Sequence, residues 1–327
     1  MRQKILLARP VFPDILARLE QQFEVESNQE DRIYSPEELA RKLTDVDAAL
    51  TTGSERIDAA ALAGAARLKA VCNMAVGFNN IDIEAATRAG IMATNTPDVL
   101  NETTADMGWA LMMAAARRIT EGEHFLRAGK WKRWRYDMLL GADLHGSTLG
   151  VIGMGRIGQA IARRSMGFDM QVIYHNRTRL APELEARANS ARYVGKEELL
   201  RAADHVMLVL PFSPETRHTI GAAELAMMKP TATLTNIARG GIVDDAALIA
   251  ALREKRIAAA GLDVFENEPA LHPDFLGLSN VVLTPHIGSA SAATRRAMAE
   301  CAIANMVAAL TGETPPNLLN PAVIKKI

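Results

Sequence analysis

Cysteine is almost missing from this sequence: its 327 residues include only Cys72 and Cys301. Two isolated thiols exclude a disulfide framework and a cysteine-based metal site, and they point to a reducing cytosolic compartment. An excess of positive charge is missing as well. The 37 lysines and arginines are balanced by 38 aspartates and glutamates, for a net charge of −1. A chain that grips nucleic acid or an anionic membrane usually carries a strong basic excess. Long apolar runs are absent too. None approaches the roughly 18 residues of a spanning helix, and the first ten residues lack the apolar core of a signal peptide. A cytoplasmic protein that binds neither nucleic acid nor membrane, and no metal, is therefore expected. What is present is ordinary globular material, 49% apolar and 23% charged. At about 150 residues per domain, the length suggests two domains.

Short apolar or β-branched runs alternate with alanine-rich stretches of helical character. Lys4-Ile5-Leu6-Leu7-Ala8 reads as a strand, followed by a helix starting near Pro13. Asp47-Ala48-Ala49-Leu50-Thr51 and Leu68-Lys69-Ala70-Val71-Cys72 read as two more strands. Strands separated by single helices pair in parallel through right-handed crossovers, and a continuous apolar run marks a strand buried on both faces. From 101 to 128 the pattern predicts one long helix, suited to bridging two domains. Residues 131–145 carry little periodicity and hold Trp131, Trp134 and Tyr136. A second strand–helix series runs from 148 to about 286. The last helix, from 289 to about 310, stops at Gly312 with Pro315 and Pro316 beyond, as helix ends do. The second series is complete without that helix, which is expected to return to the first domain. The fold class is α/β, with two doubly wound parallel sheets.

Leu149-Gly150-Val151-Ile152-Gly153-Met154-Gly155-Arg156-Ile157-Gly158 reads as a strand, a tight turn and the start of a helix. Its G-x-G-x-x-G glycines are Gly153, Gly155 and Gly158. The first makes the turn, the second lets backbone approach a pyrophosphate, and the third allows close helix–strand packing. Arg156 and Ile157 open the helix whose free N–H groups face the phosphates. An NAD site usually places an acidic residue roughly 20 residues further on, against the ribose 2′-hydroxyl. Here the next strand, Gln171-Val172-Ile173-Tyr174, ends in His175-Asn176-Arg177-Thr178-Arg179, and no carboxylate lies between Asp169 and Glu183. Arginine grips phosphate with a fork of donors, so Asn176, Arg177 and Thr178 favour NADP(H), with NAD(H) still possible. The blander alternative is a solvated loop with chance charges.

Three further segments fall at the C-terminal ends of expected strands, where open α/β sheets bind ligands. They are Thr235-Asn236-Ile237-Ala238-Arg239-Gly240, the run from Gly261 to Pro269 that contains Asp263, Glu266 and Glu268, and Thr284-Pro285-His286-Ile287-Gly288. One arginine, one glutamate and one histidine suit the reduction of a 2-oxo acid. Hydride attack on a carbonyl leaves a developing alkoxide, which needs a proton donor and nearby positive charge. A histidine whose other nitrogen meets a carboxylate is oriented for that task, and an arginine holds the substrate carboxylate.

The glycine loop, N-x-A-R-G, D-V-F-x-x-E-P and P-H-I-G-S together resemble the D-isomer-specific 2-hydroxyacid dehydrogenase family over nearly the whole chain. Within that family the sequence is most similar to glyoxylate/hydroxypyruvate reductases, including bacterial 2-ketogluconate reductases. The resemblance implies a Rossmann nucleotide-binding domain (101–286) inserted in a flavodoxin-like substrate domain (1–100 plus 287–327). It implies Arg239 for substrate binding, Glu268 for orienting the base and His286 for proton transfer; Glu266 is passed over because the family glutamate directly precedes Pro269. Asp263 matches the nicotinamide contact, and Thr104, Leu210, Pro211 and Gly288 match positions near the cofactor. Val76 and Gly77, in the segment from Asn73 to Asp82 that reads as a strand end opening a helix, match the site for the substrate carboxylate. The substrate is then held mainly by one domain and the cofactor by the other, with closure excluding water. A homodimer is implied, in which Trp134 reaches the partner's substrate mouth.

Two other readings stand beside this one. A phosphoglycerate dehydrogenase would show arginines near Thr51-Thr52-Gly53-Ser54, yet none appears before Arg56, and no regulatory domain is expected after Gly312. A non-catalytic NAD(P)-sensing corepressor on the same fold would need neither the full Arg/Glu/His set nor termini as bare as these. His124, His145, His175, His205, His218 and His272 have no comparable setting and are assigned no chemistry.

Overall fold

Two parallel sheets organise the chain. A computed structural model describes residues 2–325, which separate into one unit running to Leu100 and resuming at Ser291, and a second unit, Asn101–Ala290.

The first unit contains β1 (Lys4–Leu7), β2 (Glu24–Ser27), β3 (Ala48–Thr51), β4 (Ala70–Asn73) and β5 (Met92–Thr94). Their order is β2-β1-β3-β4-β5, all parallel, which is the flavodoxin-like winding. The expected strands are present, each shifted by a residue or two. Their continuous apolar runs are explained by burial on both faces. Ile5 and Leu7 join a core with Met306 and Leu310 of the helix Ala292–Thr311, while Leu6 points the other way into a core with Leu39, Leu43 and Ile57. That last helix is capped by Ser291, whose side chain accepts from the Thr294 N–H, and it stops at Gly312 with φ 84°. Glycine enters that left-handed conformation without the penalty a Cβ brings.

The second unit contains β6 (Thr148–Ile152), β7 (Gln171–His175), β8 (Arg192–Tyr193), β9 (His205–Leu208), β10 (Thr233–Asn236), β11 (Ala259–Leu262) and β12 (Val281–Leu283). The order is β12-β11-β10-β9-β6-β7-β8, again all parallel. The order reverses at β6 and β9, the switch point of a Rossmann sheet.

The helix predicted over 101–128 is two helices, Asn101–Ala116 and Ile119–Arg127. Arg118 between them has φ 53°, and the Ala116 carbonyl accepts from the Ala142 N–H at 2.9 Å rather than from its own helix. Gly141 makes that approach possible, because a Cβ there would lie 2.3 Å from the Ala116 oxygen. The first helix lies close on the sheet. A Cβ on Gly261 of β11 would come within 2.9 Å of the Leu111 carbonyl oxygen, so small residues set the helix–sheet spacing. Among the described residues no helix is long and apolar enough to cross a membrane.

Candidate active site

β6 ends at Ile152, and the helix Arg156–Arg164 begins four residues later. Gly153 has φ 101°, and a Cβ on it would lie 2.5 Å from the Val209 carbonyl oxygen. Gly158 packs against the Gly153 carbonyl, where a Cβ would come within 2.3 Å. Gly155 differs: a Cβ there meets nothing within 4 Å. The helix that starts with Arg156 and Ile157 has no side-chain cap at its N-terminus. Gly158 thus brings the helix against the strand end and Gly153 brings the turn against the chain after β9, while Gly155 leaves open space at a helix start with no side-chain cap. That arrangement fits a dinucleotide pyrophosphate.

β7 leads into the next part of this surface. Asn176 Oδ1 accepts from the Met154 N–H at 2.7 Å, tying the strand end to the glycine loop. Arg177 and Thr178 are exposed, and Arg177 makes no hydrogen bond or ion pair among the described residues. After β9, Leu210 packs on the core and the Pro211 carbonyl accepts from the Thr216 hydroxyl at 2.8 Å.

Arg239, Glu268 and His286 follow β10, β11 and β12, which are neighbours in the sheet. Asn236 shapes the first turn by accepting from the Ala238 N–H at 3.0 Å and donating to the Arg239 carbonyl at 3.1 Å. Gly240 then passes so close to the next loop that a Cβ would lie 1.7 Å from the Phe265 carbonyl oxygen. In that loop, Glu268 Oε1 accepts from the Phe265 N–H at 2.8 Å and Oε2 meets His286 Nδ1 at 2.7 Å. The Glu268–Pro269 peptide bond is cis. His286 is exposed and sits at φ 53°. Asp263, only 2% exposed, holds its loop in place. The Asp263 carboxylate accepts from the Thr284 hydroxyl at 2.7 Å, the Ile287 N–H at 2.8 Å and the Gly288 N–H at 2.7 Å. Thr104 is buried beside Gly288.

The charges agree with this geometry. Burial alone would push the Glu268 carboxyl up. Its hydrogen bond and charge interaction with His286, the Phe265 N–H and the Arg239 charge together hold it below the ordinary carboxylate range. Desolvation lowers the pKa of the half-buried Arg239 guanidinium, and the Glu268 charge opposes that shift. An anion, its histidine and a cation share one edge of the sheet.

The remaining assigned residues lie elsewhere. Val76 and Gly77 follow β4 in the first unit. The helix expected to open there starts only at Ile83, and Asp82 caps it by accepting from the Ala85 N–H. Val76 and Gly77 are instead loop residues whose carbonyls accept from Asn95 Nδ2 at 2.8 Å and Asn73 Nδ2 at 2.9 Å. Their N–H groups donate to nothing among the described residues. Trp134 is 71% exposed and meets Tyr136 edge-on at 6.4 Å. Sequence reasoning passed over His218 and Asp245, both of which touch the Glu268 loop through Glu266. No spacing rule flags them, since each lies more than 20 residues from Glu266.

The family model described as "D-isomer specific 2-hydroxyacid dehydrogenase, NAD binding domain" matches residues 109–288. The chain belongs to the D-isomer specific 2-hydroxyacid dehydrogenase family. The matched segment of this dehydrogenase falls inside its second unit. It is 49% identical to the glyoxylate reductase of Thermococcus onnurineus over 328 residues, 99% of this chain and 98% of that one. It is 48% identical to the glyoxylate reductase of Pyrococcus furiosus over 329 residues, 99% and 97% of the two chains. Among solved structures, the NADPH-dependent glyoxylate/hydroxypyruvate reductase of Sinorhizobium meliloti in complex with NADP and malonate superposes with a TM-score of 0.87. The two are 32% identical, over 99% of this chain and 98% of that one.

Proposed function

We propose that this dehydrogenase reduces small 2-oxo acids (glyoxylate, hydroxypyruvate and 2-ketogluconate) to D-2-hydroxy acids, with NADPH preferred over NADH. The observation that carries the reading is the 2.7 Å contact of Glu268 with His286 Nδ1, beside a half-buried Arg239. The hydride in this reaction comes from a reduced nicotinamide when one is bound. Gly153, Gly155, Gly158, Arg156 and Ile157 would hold its pyrophosphate, with Thr104, Leu210, Pro211, Asp263 and Gly288 around the rest of the cofactor. Arg239 binds the substrate carboxylate and polarises the carbonyl. Val76 and Gly77, in the first unit, are assigned to substrate binding through backbone N–H groups that donate to nothing among the described residues. His286, held at Nδ1 by Glu268, gives the proton on Nε2 to the developing alkoxide. The ring left behind keeps its Nδ1 proton against the carboxylate, ready to be reloaded from solvent.

The NADPH preference rests on Asn176, Arg177 and Thr178 after β7, in a stretch with no acidic residue between Asp169 and Glu183. The first unit is assigned the substrate and the second the cofactor. A homodimer is favoured by the run of exposed apolar side chains at Trp131, Trp134, Tyr136 and Leu140, the kind of surface that buries in an interface. The free thiols of Cys72 and Cys301 are consistent with the cytoplasm. The deciding experiment follows oxidation of NADPH and of NADH, by absorbance near ~340 nm, with each of the three acids. Turnover with none of them would overturn the assignment. His286→Asn is expected to lose activity by about a hundredfold or more.

A further inference from the structure

The glutamate passed over in favour of Glu268 is not an idle surface residue. Glu266 Oε1 meets His218 Nε2 at 2.6 Å, and the Glu266 N–H donates to the Asp245 carboxylate at 3.1 Å. Asp245 is 5% exposed, and His218 and Glu266 are both half-buried. His218 belongs by its backbone to the other loop of the site. Its N–H donates to the Gly241 carbonyl at 2.7 Å, the Ile220 N–H donates to Ile242 at 3.1 Å, and the Asp244 N–H donates back to Ile220 at 2.9 Å. The segment so paired runs directly on from Arg239 and Gly240.

One histidine therefore spans two loops: its main chain holds the loop after Arg239, and its ring holds the loop that carries Glu268. Between them, the Gly240 backbone already lies against the Phe265 carbonyl. We propose that His218, Glu266 and Asp245 are positioning residues that fix Glu268, and through it His286, relative to Arg239. This rests on the functional reading above. The charged groups facing the set are the Asp244 carboxylate, 3.8 Å from His218 Nδ1, and His272, whose charge acts on Asp245. Glu266 acts only through other residues. Releasing it lets Glu268 drift, and a shift of about 1 Å in a reacting group costs on the order of a hundredfold in rate.

The test uses the full chain with glyoxylate and NADPH, comparing Glu266→Ala, Glu266→Gln, His218→Ala and the double variant with alanine at both positions. NADPH affinity by fluorescence and Tm are read beside kcat. Glu266→Ala and His218→Ala are expected to lower kcat roughly tenfold to a hundredfold. They should displace the pH profile of kcat and leave NADPH affinity within about twofold. Glu266→Gln still offers His218 an acceptor and is expected to restore most of the rate and the wild-type profile. The double variant should be no worse than the poorer single one, as for two members of one unit. A fall in Tm with kcat and its pH profile unchanged would show a purely structural role and overturn the proposal. If Glu266→Ala does not fold, His218→Ala and Glu266→Gln carry the same comparison. His286→Asn separates the two levels. Retained turnover in that variant sinks the functional reading, whereas its loss beside normal Glu266→Ala kinetics sinks only this one.

Discussion

Glu185 grips Arg179 with both carboxylate oxygens, at 2.8 Å from Nε and 2.9 Å from Nη2, and takes the Tyr174 hydroxyl at 2.6 Å as well. Arg179 first, and Tyr174 second, hold the Glu185 carboxyl down at about 2. Of the two arginines after β7, Arg179 is therefore committed to local structure and Arg177 is left at the surface.

The two arginines should behave differently when removed. Arg177→Ala is expected to raise KM for NADPH by about tenfold to a hundredfold, the worth of a charge-assisted phosphate contact, with little change for NADH. Arg179→Ala should lower Tm and leave the NADPH/NADH ratio near wild type. Asn176→Asp keeps the acceptor for Met154 but adds a negative charge, so the ratio should fall. Steady-state kinetics with both cofactors checks all three; an unchanged ratio in Arg177→Ala and Asn176→Asp would remove the basis for NADPH preference.

Asp245 gives stability a pH dependence of definite sign. Burial pushes its carboxyl up from 3.8 to about 6, against the pull of the Glu266 N–H bond. The folded state thus favours the protonated form. Its contribution is complete below about 3.8 and is lost as pH rises through about 6. Asp245→Asn, which cannot ionise, should gain Tm relative to wild type as pH rises from 4 toward 7. A Tm difference that stays flat across that range would contradict the assignment.

Glu268 has the opposite sign. Its carboxyl lies below the ordinary carboxylate range, so its pairing with His286 supports the fold above about pH 4.5 and fades as pH falls through the lowered value. Glu268→Gln should be less stable than wild type near neutrality and should converge with it in acid. Thermal unfolding at several pH values reads this directly, and no convergence in acid would count against the ion pair.

Gly240→Ala should damage rate and stability together. Its Cβ would fall 1.7 Å from the Phe265 oxygen, forcing apart the loops of Arg239 and Glu268. A cost of about 1–3 kcal/mol is ordinary for such overpacking, and kcat should fall further than Tm alone explains. Wild-type kcat with only a lowered Tm would show that the loops need not touch.

The exposed aromatics predict an assembly. Light scattering should give twice the chain mass for the wild type, and a monomer when Trp131 and Tyr136, 53% and 87% exposed, are both replaced by glutamate. A monomeric wild type would leave Trp134 without a partner chain.

Much of this was legible in the sequence because its causes are local. A strand buried on both faces must be apolar throughout, so Ile5-Leu6-Leu7 and Ala48-Ala49-Leu50 announce themselves. The glycines at 153 and 158 are fixed by backbone approaches that no other residue permits. The Arg, Glu and His were visible because each follows a strand end, and parallel winding puts those ends side by side. Tertiary structure alone decided the rest. The break at Arg118 depends on a carbonyl captured by Ala142, which no helical propensity reports. The commitment of Arg179 to Glu185, and the clasp of His218 on Glu266, depend on which side chains, 6 and 48 residues apart in the chain, meet through space. Composition and spacing specify which groups are available, whereas hydrogen bonds closed through space determine which of them remain free to act.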